Sequence, residues 1–245
     1  YFLKDDESLE DAQQNKINHI IKKLSLRPGE KVLDIGCGWG GMAFEIARQS
    51  ECEVVGITLS ENQVNYCKKK AKELKMDNQV SFEFCDYRQI KGKFQKIVSV
   101  GAFEHFGKKF YKTFFKKISN ILTDDGICLL HTIGSVDPPG PVQPFIQRRI
   151  FPGGRIPSLS ELISPIEKTG LILADCETLI HHYDKTLNAW LERFLKNKEK
   201  AKSLYNKEFV RMWECYLSMC SSAFKFRDLV VYQLQLVKNF TAPPS

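Results

Sequence analysis

VLDIGCGWGG, residues 32–41, runs from an apolar strand-like stretch into a turn that holds four glycines in six positions. Gly36, Gly38 and Gly41 have the G-x-G-x-x-G spacing. Glycine lets a backbone come close to a ligand at the carboxyl end of a strand, and the helix that follows offers N–H donors. Outward from this turn the chain alternates between two periodicities. KVLDI (31–35) reads as a buried strand, followed by a helix through Arg48. CEVVGI (52–57) is a second strand, with a Lys-rich helix from Ser60 in which Gln63 completes a capping box. VSFEF (80–84), KIVSV (96–100) and GICLLHTI (126–133) supply three more strands, LILADCETLI (171–180) a sixth and LVVYQLQLV (229–237) a seventh. Before the first strand, residues 8–25 read as an amphipathic helix opened by Ser8 and stopped by Pro28-Gly29.

This is the grammar of an α/β, Rossmann-like sheet, mostly parallel, with helices on both faces and a seventh strand that adds an antiparallel edge. The rhythm breaks at residues 135–157, which hold most of the prolines, and irregular stretches of that length serve as lids or binding loops. Helical blocks are expected over 186–195 and 201–224. We therefore expect one domain over 1–245, with lid or substrate-binding insertions at about 134–157 and 184–225.

The glycine turn alone fits a dinucleotide or S-adenosylmethionine. Asp34 precedes the first glycine, where an acid repels a pyrophosphate but suits a ligand with an amino group. The second strand ends in Ile57-Thr58 without the acid of an NAD site. Both details favour S-adenosylmethionine. After the third strand, Asp86 and Tyr87 have the chemistry to bond and stack on an adenine, or else to cap a loop and cover the sheet edge.

With 43% hydrophobic and 27% charged residues the chain is globular rather than disordered. Its net charge of +7 suits an anionic partner or a solubilising lysine surface. No basic–aromatic RNA motif is visible, which argues against nucleic acid. The eight cysteines include no C-x-x-C pair, so neither a disulfide framework nor a metal site is expected, and the setting reads as cytoplasmic. No apolar run approaches the roughly 18 residues of a membrane span. The chain begins with Tyr1 rather than Met, so an upstream part of the full protein is expected.

SVGAFEHFG (99–107) sets Glu104 between Phe103 and Phe106, and a carboxylate among rings is costly without a partner. Taken singly, Glu104 reads as a cap for a helix near Lys108, His131 as a satisfied strand histidine, and Tyr183 as a strand-end tyrosine. Their joint placement after the fourth, fifth and sixth strands brings them to one edge of the sheet. His105 reads as structural.

The motifs SLEDAQQNK, VLDIGCGWGG, GITLSENQ, SVGAFEHFG, LLHTIG, IFPGGRIPS, YDKTLNAWLERF and SSAFKFRD, in this order over nearly the whole chain, resemble the cyclopropane fatty acid synthases, including the mycolic acid cyclopropane synthases. The resemblance implies a class I methyltransferase sheet with an α-helical lid. It implies a donor site at Gly36, Gly38, Thr58, Gln63 and Tyr87, completed here by Asp34, Asp86 and Ala102. It implies methyl transfer from S-adenosylmethionine to the double bond of an unsaturated phospholipid acyl chain. A bound bicarbonate would then act as base, held by Glu104, His131, the Ile133 backbone and Tyr183. The family commonly has a further anion-contacting Cys, at a position that precedes the one matched by Tyr1. The partner implied is lipid at a membrane surface, with the protein peripheral to it, and a homodimer is compatible with it. Plant alkaloid N-methyltransferases share part of the motif set, which leaves methylation of a small amine as the alternative.

The chemistry makes its own demands. An alkene is a weak nucleophile, so the donor must be aligned and water excluded. The cation formed on methylation calls for an apolar, aromatic pocket, for which Phe103, Phe106, Phe145, Phe151 and Trp190 are candidates. Lys108, Lys109, Lys112, Lys116, Lys117, Arg148 and Arg149 are candidates for phosphate headgroups.

Overall fold

A computed structural model describes residues 1–240; the last five residues of the domain expected over 1–245 lie outside the described residues. The elements run α1 (Leu9–Leu24), β1 (Lys31–Ile35), α2 (Gly41–Ser50), β2 (Glu53–Thr58), α3 (Glu61–Glu73), β3 (Val80–Phe84), β4 (Phe94–Val100), α4 (Tyr111–Ile121) and β5 (Leu122–Ser135). They continue with α5 (Leu159–Glu167), β6 (Ile172–Leu179), α6 (His182–Lys196), α7 (Lys198–Leu204), α8 (Lys207–Phe226) and β7 (Leu229–Val237). The seven strands form one sheet in the order β3-β2-β1-β4-β5-β7-β6. β7 runs antiparallel to both β5 and β6, so an antiparallel pair closes that edge with β6 outermost.

Strands buried on both faces need apolar residues at consecutive positions. Val32, Val54, Val98 and Leu129 pack on one side with Ile20 and Leu24 of α1 and Ala43 and Ile46 of α2. Leu33, Ile97, Cys128 and Leu130 pack on the other with Phe114, Phe115 and Ile118 of α4 and Leu162 of α5. Beyond the carboxyl ends, α6 and α8 build a third apolar cluster from Leu187, Tyr216, Leu217 and Phe224 over Leu179 and Val231.

Two local readings change. The Ser60 hydroxyl caps α3 by accepting from Gln63 N, but the Gln63 side chain does not close the box, because its Oε1 accepts from Thr58 Oγ1 at 2.6 Å. A full capping box occurs at α5, where no helix was expected: Ser158 accepts from the third residue of the helix while Glu161 Oε2 accepts from Ser158 N at 3.1 Å. Glu161 also receives Arg155 at 2.6 Å and Lys108 at 3.0 Å. That ion cluster ties the Gly-Gly-Arg turn at 153–155 to the segment carrying Glu104, and Arg155 N donates to the Glu104 carbonyl at 2.8 Å.

Candidate active site

At the carboxyl end of β1 the chain turns on Gly36, φ +77°, whose N–H donates to Ile57 O at 2.9 Å, as does that of Cys37 at 3.0 Å. A Cβ on Gly36 would stand 2.4 Å from Ala102 Cβ, so the turn after β1 and the segment after β4 touch only because Gly36 has no side chain. Gly38, φ +56°, faces open space. Asp34 is 2% exposed and its Oδ2 has no hydrogen-bond partner among the described residues. Burial pushes its carboxyl up to about 7, against the pull of the Lys16 charge. A buried acceptor without a donor, beside a turn with clear space, fits a ligand that brings an amino group. Thr58 and Gln63, named separately from the sequence, are joined by their own hydrogen bond at the end of β2.

Two residues expected at an adenine are occupied otherwise. Asp86 is held by Arg88 through both carboxylate oxygens, at 2.9 and 2.6 Å. The Tyr87 ring is buried and stacks on Phe106, centroids 4.8 Å apart, so it packs against the core. Their surroundings explain this: Arg88 is two residues from Asp86, and α4 presents Phe114 edge-on to Tyr87.

A cavity of about 1150 Å³ opens beyond β4, β5 and β6, and Glu104, His131, Ile133 and Tyr183 all line it. Glu104 sits in a single 3₁₀ turn, Phe103–His105, directly after β4, so it caps no helix at Lys108. Its Oε1 accepts from Ile133 N at 2.6 Å, while Oε2 is buried without a partner among the described residues. Burial raises the pKa of this carboxyl, and the Ile133 N–H opposes that. Ile133 was expected to offer its N–H to an anion, but that donor fixes the glutamate instead. The correction follows from strand pairing: β4 and β5 run in parallel with Val100 opposite His131, which leaves Ile133 N beside the turn that carries Glu104.

His131 is 8% exposed, and burial, helped by Lys16 and the Tyr1 amino group, lowers its pKa to about 3. The ring is therefore neutral at physiological pH, a donor at one nitrogen and an acceptor at the other. Because its folded pKa lies below the unfolded value near 6.5, the unfolded chain takes the proton first. The contribution to stability is complete above about pH 6.5 and falls as the pH drops toward 3, by up to about 1.4 kcal/mol per pH unit. Two results should follow: no His131 NMR titration between pH 8 and 5, and a shallower acid slope of unfolding free energy in His131→Asn.

Tyr183 does not end a strand; it lies in the first turn of α6, which starts at His182. Its ring packs against Phe224 of α8 with centroids 4.8 Å apart, and its hydroxyl is pushed up to about 12 by burial and by the Glu104 charge. It stays a phenol, able to donate.

The aromatic lining differs from expectation. Phe103 and Phe106 face the central core, where Phe103 stacks on Tyr111 at 4.5 Å, and Phe145 packs on the α6–α8 cluster. Phe151 and Trp190 do line the cavity, joined by Tyr216, Met219, Cys220, Ala223 and Phe224 of α8. The spacing of that α8 set, all on one helical face, was the signal available in the sequence. Lys16 and Gln13 of α1 line it too, and nothing in the sequence brings α1 to this end of the sheet. His105 is exposed, lines the same cavity and lies edge-to-face with Phe151, centroids 5.8 Å apart. Much of the cavity wall comes from residues 135–156, 179–190 and 216–231.

Comparison with known proteins agrees with this architecture. The family model described as mycolic acid cyclopropane synthetase matches residues 1–234. Cyclopropane-fatty-acyl-phospholipid synthase of Escherichia coli (strain K12) is 40% identical over 233 residues, 95% of this chain and 60% of the relative. The chain thus spans about three fifths of that relative's length. The structure of the cyclopropane synthase MmaA2 from Mycobacterium tuberculosis superposes with a TM-score of 0.90 at 34% identity, covering 96% of this chain and 87% of that one. Mycolic acid cyclopropane synthase CmaA1, solved with SAH and CTAB, gives a TM-score of 0.90 at 33% identity, with the same 96% and 87% coverage. A glycine turn beneath a buried acid, a roofed apolar cavity and a family match over 234 residues lead to one conclusion: this chain has the class I methyltransferase fold and belongs to the mycolic acid cyclopropane synthetase family.

Proposed function

We propose that this chain carries the catalytic domain, with its lid at about 134–157 and 184–225, of an enzyme that methylates the double bond of an unsaturated phospholipid acyl chain and closes a cyclopropane. The observation that carries the reading is Glu104 Oε2, a buried acceptor with no partner among the described residues, on the wall of a large, mainly apolar cavity. In that reaction one methyl carbon becomes bonded to both alkene carbons and one of its protons leaves. S-adenosylmethionine, when bound, supplies the methyl group, and bicarbonate supplies the acceptor for the proton.

The residues of the chain do the rest. Gly36 and Gly38 let the backbone approach the donor, with Ala102 against the turn, and Asp34 Oδ2 accepts from its amino group. Thr58 and Gln63 hold each other at the end of β2 on the ribose side, and the Asp86-Tyr87 segment borders the adenine through its backbone. Glu104 Oε2 accepts from the anion's hydroxyl, while neutral His131 and the Tyr183 phenol donate to its other oxygens. Three groups of matched polarity, around a carboxylate already fixed by Ile133, make a fitting cradle. Trp190, Tyr216 and Phe224 exclude water and offer ring faces to passing positive charge.

The mouth supports lipid as the partner. Val136, Phe151 and Phe226 are exposed there, Phe226 to 75%, and Lys225 Nζ lies 5.2 Å from the Phe226 ring. Arg148 and Arg149 stand exposed on the same Pro-rich segment. An apolar rim with cations around it suits an anionic bilayer surface, to which the protein would bind peripherally. Among the described residues no helix is long and apolar enough to cross a membrane. The apolar chamber favours an alkyl chain over a small amine.

The test is incubation with methyl-labelled S-adenosylmethionine and vesicles of unsaturated phosphatidylglycerol or phosphatidylcholine, followed by mass analysis of released acyl chains. A gain of one CH₂ without a double bond, with tighter binding to the anionic vesicles, is the expected result. Label on a secondary amine but not on lipid would overturn it.

A further inference from the structure

Gln233, in the middle of β7, is fully buried, at 0% exposure. Strand register sets it opposite His131 on β5 and opposite Glu177 on β6, so three polar side chains form a row across three strands. α1 covers this row. Glu177 Oε2 receives Lys23 Nζ at 2.7 Å and His19 Nε2 lies 2.6 Å from it. One row over, Gln235 Nε2 donates to Lys23 O at 2.6 Å. Gln233 Nε2 lies 3.1 Å from His131 Nδ1, and Gln233 Oε1 is buried without a partner among the described residues.

A buried amide left half satisfied is costly, and Val231, two residues back on the same face of β7, shows that an aliphatic residue is accommodated there. What an aliphatic residue lacks is an N–H for the histidine ring. We infer that Gln233 is a positioning residue: its amide donates to His131 Nδ1, which keeps the imidazole proton on Nε2, at the edge of the ring that serves the cavity. The polarity follows from the neighbours. Glu177 already takes two donors, so it does not demand the amide nitrogen of Gln233. The groups facing His131 are Lys16 and His19 of α1, the Tyr1 amino group and Glu177 of β6. Burial above all, and then the Lys16 charge, disfavour an imidazolium, so the ring is neutral and one hydrogen bond chooses its tautomer.

This assignment rests on the proposed role of His131 as a donor to a bound anion, yet its direct test needs no substrate. Long-range ¹H–¹⁵N correlation on labelled protein, with His131 identified by its loss in His131→Asn, should show Nε2 protonated and Nδ1 bare. Gln233→Glu places an acceptor against Nδ1. It should move the proton to Nδ1 and bring a His131 titration into the pH 5–8 range. Gln233→Leu should give a tautomer mixture and lower kcat by about 10–100-fold with KM within a factor of two. Gln233→Asn, whose shorter amide falls short of the ring, should lie between. A wild-type ring protonated at Nδ1, or a Gln233→Glu protein with the wild-type tautomer, overturns the inference. Full activity in His131→Asn would overturn the role of His131 itself while leaving the tautomer result intact. Should Gln233→Leu fail to fold, the wild-type and Gln233→Glu spectra decide the matter.

Discussion

Glu104→Gln should lower ring formation on an unsaturated phospholipid by about 10²–10⁴-fold, the range expected for a group that controls a proton transfer. Its unfolding midpoint should stay level or rise. The substitution keeps the volume, and the amide oxygen can still accept from Ile133 N, which lies 2.6 Å from Oε1 in the native protein. What changes is the other arm. Oε2 is a buried acceptor without a partner, and it becomes an NH₂ with two donors facing the His131 and Tyr183 donors. Three donors and no acceptor cannot hold an anion's hydroxyl. Stability moves the other way because burial already disfavours the carboxylate, with the Ile133 N–H as the main opposing contact. Acyl-chain mass analysis in single-turnover mode, beside a urea unfolding curve, checks both halves. Wild-type turnover in Glu104→Gln would refute the cradle.

The second large effect is expected at Gly36. Gly36→Ala adds a methyl 2.4 Å from Ala102 Cβ at φ +77°. The left-handed conformation costs about 1–2 kcal/mol for a residue with Cβ, and forced overpacking about 1–3. A loss of roughly 2–5 kcal/mol in unfolding free energy should result, with donor affinity reduced at least tenfold, because relief of the clash moves the turn away from the segment after β4. Gly41→Ala is the control, since Gly41 opens α2 with nothing within 4 Å of an added Cβ. It should be neutral or slightly stabilising. Urea unfolding and calorimetric titration with S-adenosylmethionine separate the two variants; equal behaviour would show that the contact with Ala102 sets nothing.

Much of the site was legible in the sequence because strand ends are legible. The turn after VLDI, Glu104 after the fourth strand, His131 within the fifth and Tyr183 after the sixth all follow from where an apolar run stops, and parallel strands bring those stops to one edge. Side-chain direction was not legible. Phe103 and Phe106 flank Glu104 in sequence but turn into the core against Phe114, because a 3₁₀ turn sends successive side chains different ways. Ile133 looked like a free backbone donor, and only the pairing of β4 with β5 shows Glu104 taking it. Gln63 looked like a capping-box partner until the end of β2 placed Thr58 beside it.

By itself the sequence determined the strand–helix alternation, the glycine turn and the identities of the groups at the strand ends. These depend on periodicity and on backbone conformations that few residues tolerate, both local properties. The tertiary structure decided which atoms are left unsatisfied among the described residues: Asp34 Oδ2, Glu104 Oε2 and Gln233 Oε1, whose amide nitrogen meets His131. Whether a polar atom finds a partner depends on what arrives from distant parts of the chain, such as α1 over β6 and β7 or the Arg155 turn at Glu104. Burial, which sets the cost of leaving it unpaired, is a property of the packed molecule alone.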